Sequence, residues 1–85
     1  MKKIIVADDE ARIRRLVGDF LKKDGYEPLE ADDGDVALEL FRENPDTALM
    51  IVDIMMPNID GWEVCRKIRE TSNVPVIMLT ARSQE

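Results

Sequence analysis

The chain has 85 residues, with 12 Lys and Arg against 18 Asp and Glu, a formal net charge of −6 and no histidine. A chain of this length makes one small domain; its acidic balance leaves no basic stripe for nucleic acid, and without histidine it has no His-ligated zinc, no Ser-His-Asp triad and no phosphohistidine of its own. The single cysteine, Cys65, rules out an internal disulfide and fits a reducing compartment, and no apolar run is long enough for a membrane span or a signal peptide, so the expected location is cytoplasmic.

The chain opens with Ile4-Ile5-Val6-Ala7, a short apolar run ending in Asp8-Asp9-Glu10. This pattern predicts a buried strand with acids at its C-terminal edge. From Ala11 the period becomes helical: Ile13, Leu16, Val17, Phe20 and Leu21 form one stripe. Arg12, Arg14 and Arg15 read as part of its solvated face, and Asp24-Gly25 as the stop. Tyr26 to Ala31 predicts a second strand, and Pro28, lacking a ladder donor, places it at an edge or in an irregular pairing. Asp32-Asp33-Gly34-Asp35 offers caps for a second helix with the stripe Val36, Ala37, Leu40 and Phe41. Asn44-Pro45 ends that helix.

Ala48-Leu49-Met50-Ile51-Val52 is an unbroken apolar run that meets Asp53. Apolar on successive residues, it suits a strand buried on both faces, and it delivers Asp53 to the rim where doubly wound sheets bind ligands. After the loop Pro57-Asn58-Ile59-Asp60-Gly61, Asp60 and Glu63 have capping-box spacing for a third helix, with Trp62, Val64, Cys65 and Ile68 as its inner face. The methionines also read as core. Val74 to Ala81 predicts a fourth strand with Thr80 at its C-terminal end. Alternating strands and helices imply an α/β fold, a doubly wound parallel sheet with helices on both faces.

The first and third strands of such a sheet are commonly neighbours, so Asp8, Asp9 and Asp53 are expected to converge. Three carboxylates at one rim repel one another unless a cation lies between them. Oxygen ligands without His or Cys suit a hard ion such as Mg²⁺. The expected set is Asp9 and Asp53 as direct ligands, Asp8 through water, and the Met55 backbone carbonyl. Thr80 is placed to donate to a phosphoryl oxygen, and Asp53 to attack phosphorus. A phosphatase with an aspartyl nucleophile needs a second acid two residues on, where Met55 stands; a nucleotide-binding Rossmann domain needs a Gly-rich loop after the first strand, which is absent.

Together, Ile4–Glu10, Ala31-Asp32-Asp33-Gly34, Asp53–Gly61 and Pro75–Ala81 resemble the receiver domain of two-component response regulators, most closely the OmpR-type subfamily with a winged-helix DNA-binding domain. The resemblance implies a flavodoxin-like sheet of order 2-1-3-4, with residues 1–85 as the N-terminal portion of one receiver lacking the fifth strand and last two helices. It implies a signalling domain, not a turnover enzyme: Asp53 accepts phosphate from a sensor histidine kinase, Asp8 and Asp9 hold Mg²⁺, and Thr80 moves onto the phosphate. Positions matching Met55 and Arg82 modulate phosphate loss. The family's phosphate-pairing lysine belongs to the fifth strand, so residues 1–85 alone are expected to switch poorly or not at all, and DNA would be met only through an effector domain outside these residues. The alternative expectation is a structural piece that self-associates through its fourth strand, as an edge pair or homodimer.

Overall fold

A computed structural model describes residues 1–79. The elements are β1 (Lys3–Ala7), α1 (Ala11–Lys23), β2 (Glu27–Ala31), α2 (Gly34–Glu43), β3 (Leu49–Asp53), α3 (Gly61–Arg69) and β4 (Val76–Leu79). The four strands form one sheet in the order β2-β1-β3-β4, and every pairing is parallel. This is the doubly wound order expected from the sequence. Thr80, Ala81 and Arg82, the expected end of the fourth strand and its neighbours, lie outside the described residues.

The alternation of side chains along a strand divides β1 between two faces. Ile5 and Ala7 join Ala31, Ala37, Phe41, Met50, Val52, Met56, Val64 and Ile68 in one core beneath α2 and α3. Ile4 and Val6, equally buried, point the other way, to the face that α1 covers beside β2. β2 is an edge strand, as Pro28 predicted, and pairs without a bulge: Pro28 stands opposite Ile4. Asp33 and Asp60 cap α2 and α3 by accepting from the Val36 and Glu63 amides, each at 2.9 Å.

Three helix faces differ from the periodicity reading. On α1, Leu16 and Phe20 are exposed, and Ile13, Val17 and Leu21 are half-buried. On α2, Val36 is exposed while Ala37 and Phe41 carry the contact. On α3, Trp62 is 62% exposed because Gly61, Val64 and Ile68 set the inward phase, one residue away from the Trp62–Cys65 stripe. The methionines divide as well: Met50 and Met56 are core, whereas Met1 and Met55 are exposed.

Candidate metal centre and acceptor site

The strand register creates the site. β1 and β3 pair with Ala7 opposite Val52, so the next residues, Asp8 just past β1 and Asp53 at the end of β3, come side by side at the rim. One carboxylate oxygen each from Asp8, Asp9 and Asp53 lies within 4.8 Å of the other two. Asp8 and Asp53 are buried, at 6% and 4% exposure, and Asp9 faces solvent.

The two buried acids are held alike. Asp8 Oδ1 accepts from the Glu10 amide at 2.9 Å, and Asp53 Oδ1 accepts from the Met55 amide at 3.1 Å. Each is an Asx-type turn in which the side chain bonds its own backbone two residues on. The turn fixes the carboxylate and leaves further lone pairs to face the cluster. Backbone bonds anchor both corners: the Asp8 amide donates to Ala31 O at 3.1 Å, and the Ile54 amide to Leu79 O at 3.0 Å.

Burial pushes the Asp8 carboxyl above its ordinary value, and the charges of Asp53 and Asp9 add to that push; the Glu10 amide and the Arg14 guanidinium oppose it. Acids so placed hold their charge more readily around a cation. Two ligands on opposite sides of an octahedral Mg²⁺ stand about 4.2 Å apart, given bonds of about 2.1 Å, comparable to the spread of this oxygen-only set. The donor chemistry and spacing therefore fit a small hard cation.

The positions the sequence pointed to are thus brought together in three cases. Met55 is present through its amide, which orients Asp53, while the residue as a whole is 64% exposed. Thr80 lies outside the described residues. A cleft beside the acids is lined by Asp9, Ile54, Met55, Met56, Pro57, Asp60 and Trp62.

Two residues escaped the sequence reading. Gly61 is pressed against the turn after β3: a Cβ there would lie 2.6 Å from Asp53 O and 2.9 Å from Ile54 Cα. Its amide donates to Ile54 O at 2.9 Å. Arg14 is not on a solvated face. Its side chain is 16% exposed, Nη1 donates to Asp8 O at 2.8 Å, and Nε donates to Glu30 Oε1 at 3.1 Å. The available signal was its spacing from Gly18, one turn on, the buried glycine through which α1 approaches Pro28 of β2.

Comparison with known proteins agrees with this geometry. The family model described as the response regulator receiver domain matches residues 4–85. The chain is 51% identical over 84 residues to the transcriptional regulatory protein ResD of Bacillus subtilis, covering 98% of this chain and 34% of that protein. It is 52% identical over 81 residues to the probable transcriptional regulator ycf27 of Galdieria sulphuraria, covering 94% and 31%. The chain thus spans about a third of the length of these curated relatives. Among solved structures, the response regulator TrrA of Thermotoga maritima, in complex with Mg²⁺-BeF, superposes with a TM-score of 0.89 at 43% identity, covering 98% of this chain and 72% of that one. TrrA bound to the histidine kinase ThkA superposes equally well, at 0.89 and 42% identity, covering 99% and 72%. A parallel sheet of order β2-β1-β3-β4, its rim acids and a match spanning nearly every residue lead to one assignment: the chain belongs to the response regulator receiver domain family.

Proposed function

We propose that this chain is the N-terminal portion of a receiver in an OmpR-type transcriptional regulator, and that Asp53 is its phosphoacceptor. The observation that carries this reading is the meeting of Asp8, Asp9 and Asp53 at one strand rim, with Asp53 buried and oriented by the Met55 amide. A carboxylate held this way presents a free oxygen along one line of approach, which in-line attack on phosphorus requires. Asp53 forms the new O–P bond while the P–N bond to a donor imidazole breaks; the bonding pair returns to that ring nitrogen, and the ring, already protonated on its other nitrogen, leaves as neutral imidazole. The donor is a sensor histidine kinase; this chain, without histidine, cannot supply that group itself.

Mg²⁺ is the fitting cation: Asp9 and Asp53 would hold it directly, Asp8 through water and Met55 through its carbonyl, and it would neutralise charge on the phosphoryl oxygens. Thr80 contacts the phosphate once it has arrived. The output is a DNA-binding domain beyond these residues, as the transcriptional regulators ResD and ycf27 suggest. We place the protein in the cytoplasm as part of the phosphorelay reading. Among the described residues no helix is long and apolar enough to cross a membrane.

A small phosphodonor such as acetyl phosphate, given with Mg²⁺ and followed by intact-mass analysis, tests this reading. One phosphoryl group is expected on the wild type and none on Asp53→Asn or when the metal is chelated. Equal labelling of Asp53→Asn would overturn the assignment.

A further inference from the structure

We propose that Arg14 is a positioning residue for the cation site: its guanidinium fixes the peptide between Asp8 and Asp9, and so sets where the Asp9 carboxylate can reach. The inference rests on the metal-site reading above and goes beyond it.

Arg12 and Arg15 are exposed, but Arg14 between them is folded inward onto two fixed partners. Its Nη1 reaches Asp8 O at 2.8 Å and its Nε reaches Glu30 Oε1 at 3.1 Å, so one planar group spans the end of β1 and the end of β2. The Asp8 carbonyl and the Asp9 amide share one rigid peptide plane. Holding the carbonyl oxygen therefore holds the plane from which Asp9 extends. Asp8 has further restraints, its amide on Ala31 O and its Oδ1 on the Glu10 amide. Asp9 is exposed and inherits its placement through that peptide. Glu30, opposite Val6 in the sheet register, sets the reach of Arg14 from the far side.

Electrostatics and positioning predict opposite signs. A fixed cation beside the acids repels an incoming divalent ion, so electrostatics alone predicts that removing Arg14 tightens metal binding. If the guanidinium instead orders the ligands, its removal weakens binding, as loss of an outer partner of a metal ligand does. Lysine separates the two effects, because it keeps the charge but lacks the planar fork that spans both partners.

Magnesium titration by calorimetry on the 85-residue chain decides between them, using wild type, Arg14→Lys, Arg14→Met, Glu30→Ala and the Arg14→Lys/Glu30→Ala pair. We expect Arg14→Lys to weaken Mg²⁺ binding about tenfold and Arg14→Met to weaken it less, because removing the repelling charge offsets part of the lost positioning. Glu30→Ala, which touches none of the acids, should lose less, and the pair should fall within about twofold of Arg14→Lys alone, since Glu30 acts through Arg14. Amide NMR signals of Asp8, Asp9 and Glu10 in the metal-free protein should move in all four variants while those of α3 stay in place. Unchanged affinity in Arg14→Lys, or tighter binding in Arg14→Met, overturns the positioning role while leaving the metal site standing. A wild-type chain that binds no Mg²⁺ overturns the metal site itself, and the inference with it.

Discussion

At the N-terminal rim of the sheet, where β1 begins, Lys3 Nζ meets Asn44 Oδ1 at 3.0 Å and Asp46 Oδ1 at 3.3 Å. At the C-terminal rim, one strand length away, Asp8, Asp9 and Asp53 gather within 4.8 Å. Each rim gathers polar groups from distant parts of the chain. The first group carries its own counter-charge and is finished as it stands. The second brings three like charges together and buries two of them, which folding alone does not favour. Like charge gathered and partly buried at a strand rim marks a candidate ligand site.

The largest expected effect follows from that contrast. Mg²⁺ at about a hundred times its dissociation constant should stabilise the wild type by about 2.7 kcal/mol, read as a shift of the urea unfolding midpoint. Asp9→Asn and Asp53→Asn should lose most of this gain, while Lys3→Met at the opposite rim should keep it. An equal gain in all variants would mean that the ion acts on the general acidic surface and that the two rims do not differ.

Next in size is Gly61→Ala. The added methyl meets the Asp53 carbonyl and the Ile54 Cα, both backbone, so the loop must move. Overpacking of this kind costs about 1–3 kcal/mol, and thermal unfolding should show a drop of roughly 5–20 °C in a domain this small. Tolerance without loss would mean that the turn after β3 is not held by this contact.

Asp8→Asn sharpens the comparison through its sign. Folding raises the Asp8 pKa above its ordinary 3.8, so the folded chain holds that proton more tightly than the unfolded one. Its contribution to stability is full below 3.8 and declines as pH rises through the folded value. In metal-free buffer Asp8→Asn should therefore be more stable than wild type at neutral pH, with the gap closing toward about pH 3. With saturating Mg²⁺ the order should reverse. The smallest effect belongs to the paired rim: Asp46→Ala, which removes an exposed partner of Lys3, should cost less than about 1 kcal/mol by denaturant titration and leave metal binding unchanged.

Much of this was legible beforehand. Unbroken apolar strands ending in acids gave the parallel sheet, and Pro28 correctly put β2 at an edge. The convergence of Asp8 and Asp53 followed from adjacency of the first and third strands. Helix phase was harder to read. Trp62 looks like core by composition, yet the inward direction of α3 is set by the close seat of Gly61 on the turn after β3, a tertiary contact that periodicity does not contain. Arg14 was hidden for a similar reason: beside Arg12 and Arg15 it reads as surface charge, and only the approach of α1 to β2 at Gly18 turns it inward. Residue chemistry already pointed to Asp53 as the attacking carboxylate; the resemblance to receivers added the expected donor, a kinase histidine.

The most direct test of the central claim, that acids from two separate strand ends form one cation site, is an amide NMR titration with Mg²⁺. The amides of Asp8, Asp9 and Glu10 and those of Asp53, Ile54 and Met55 should shift along a single binding curve, with Lys3, Asn44 and Asp46 unmoved. Separate curves for the two strand ends, or equal shifts at the Lys3 rim, would contradict it.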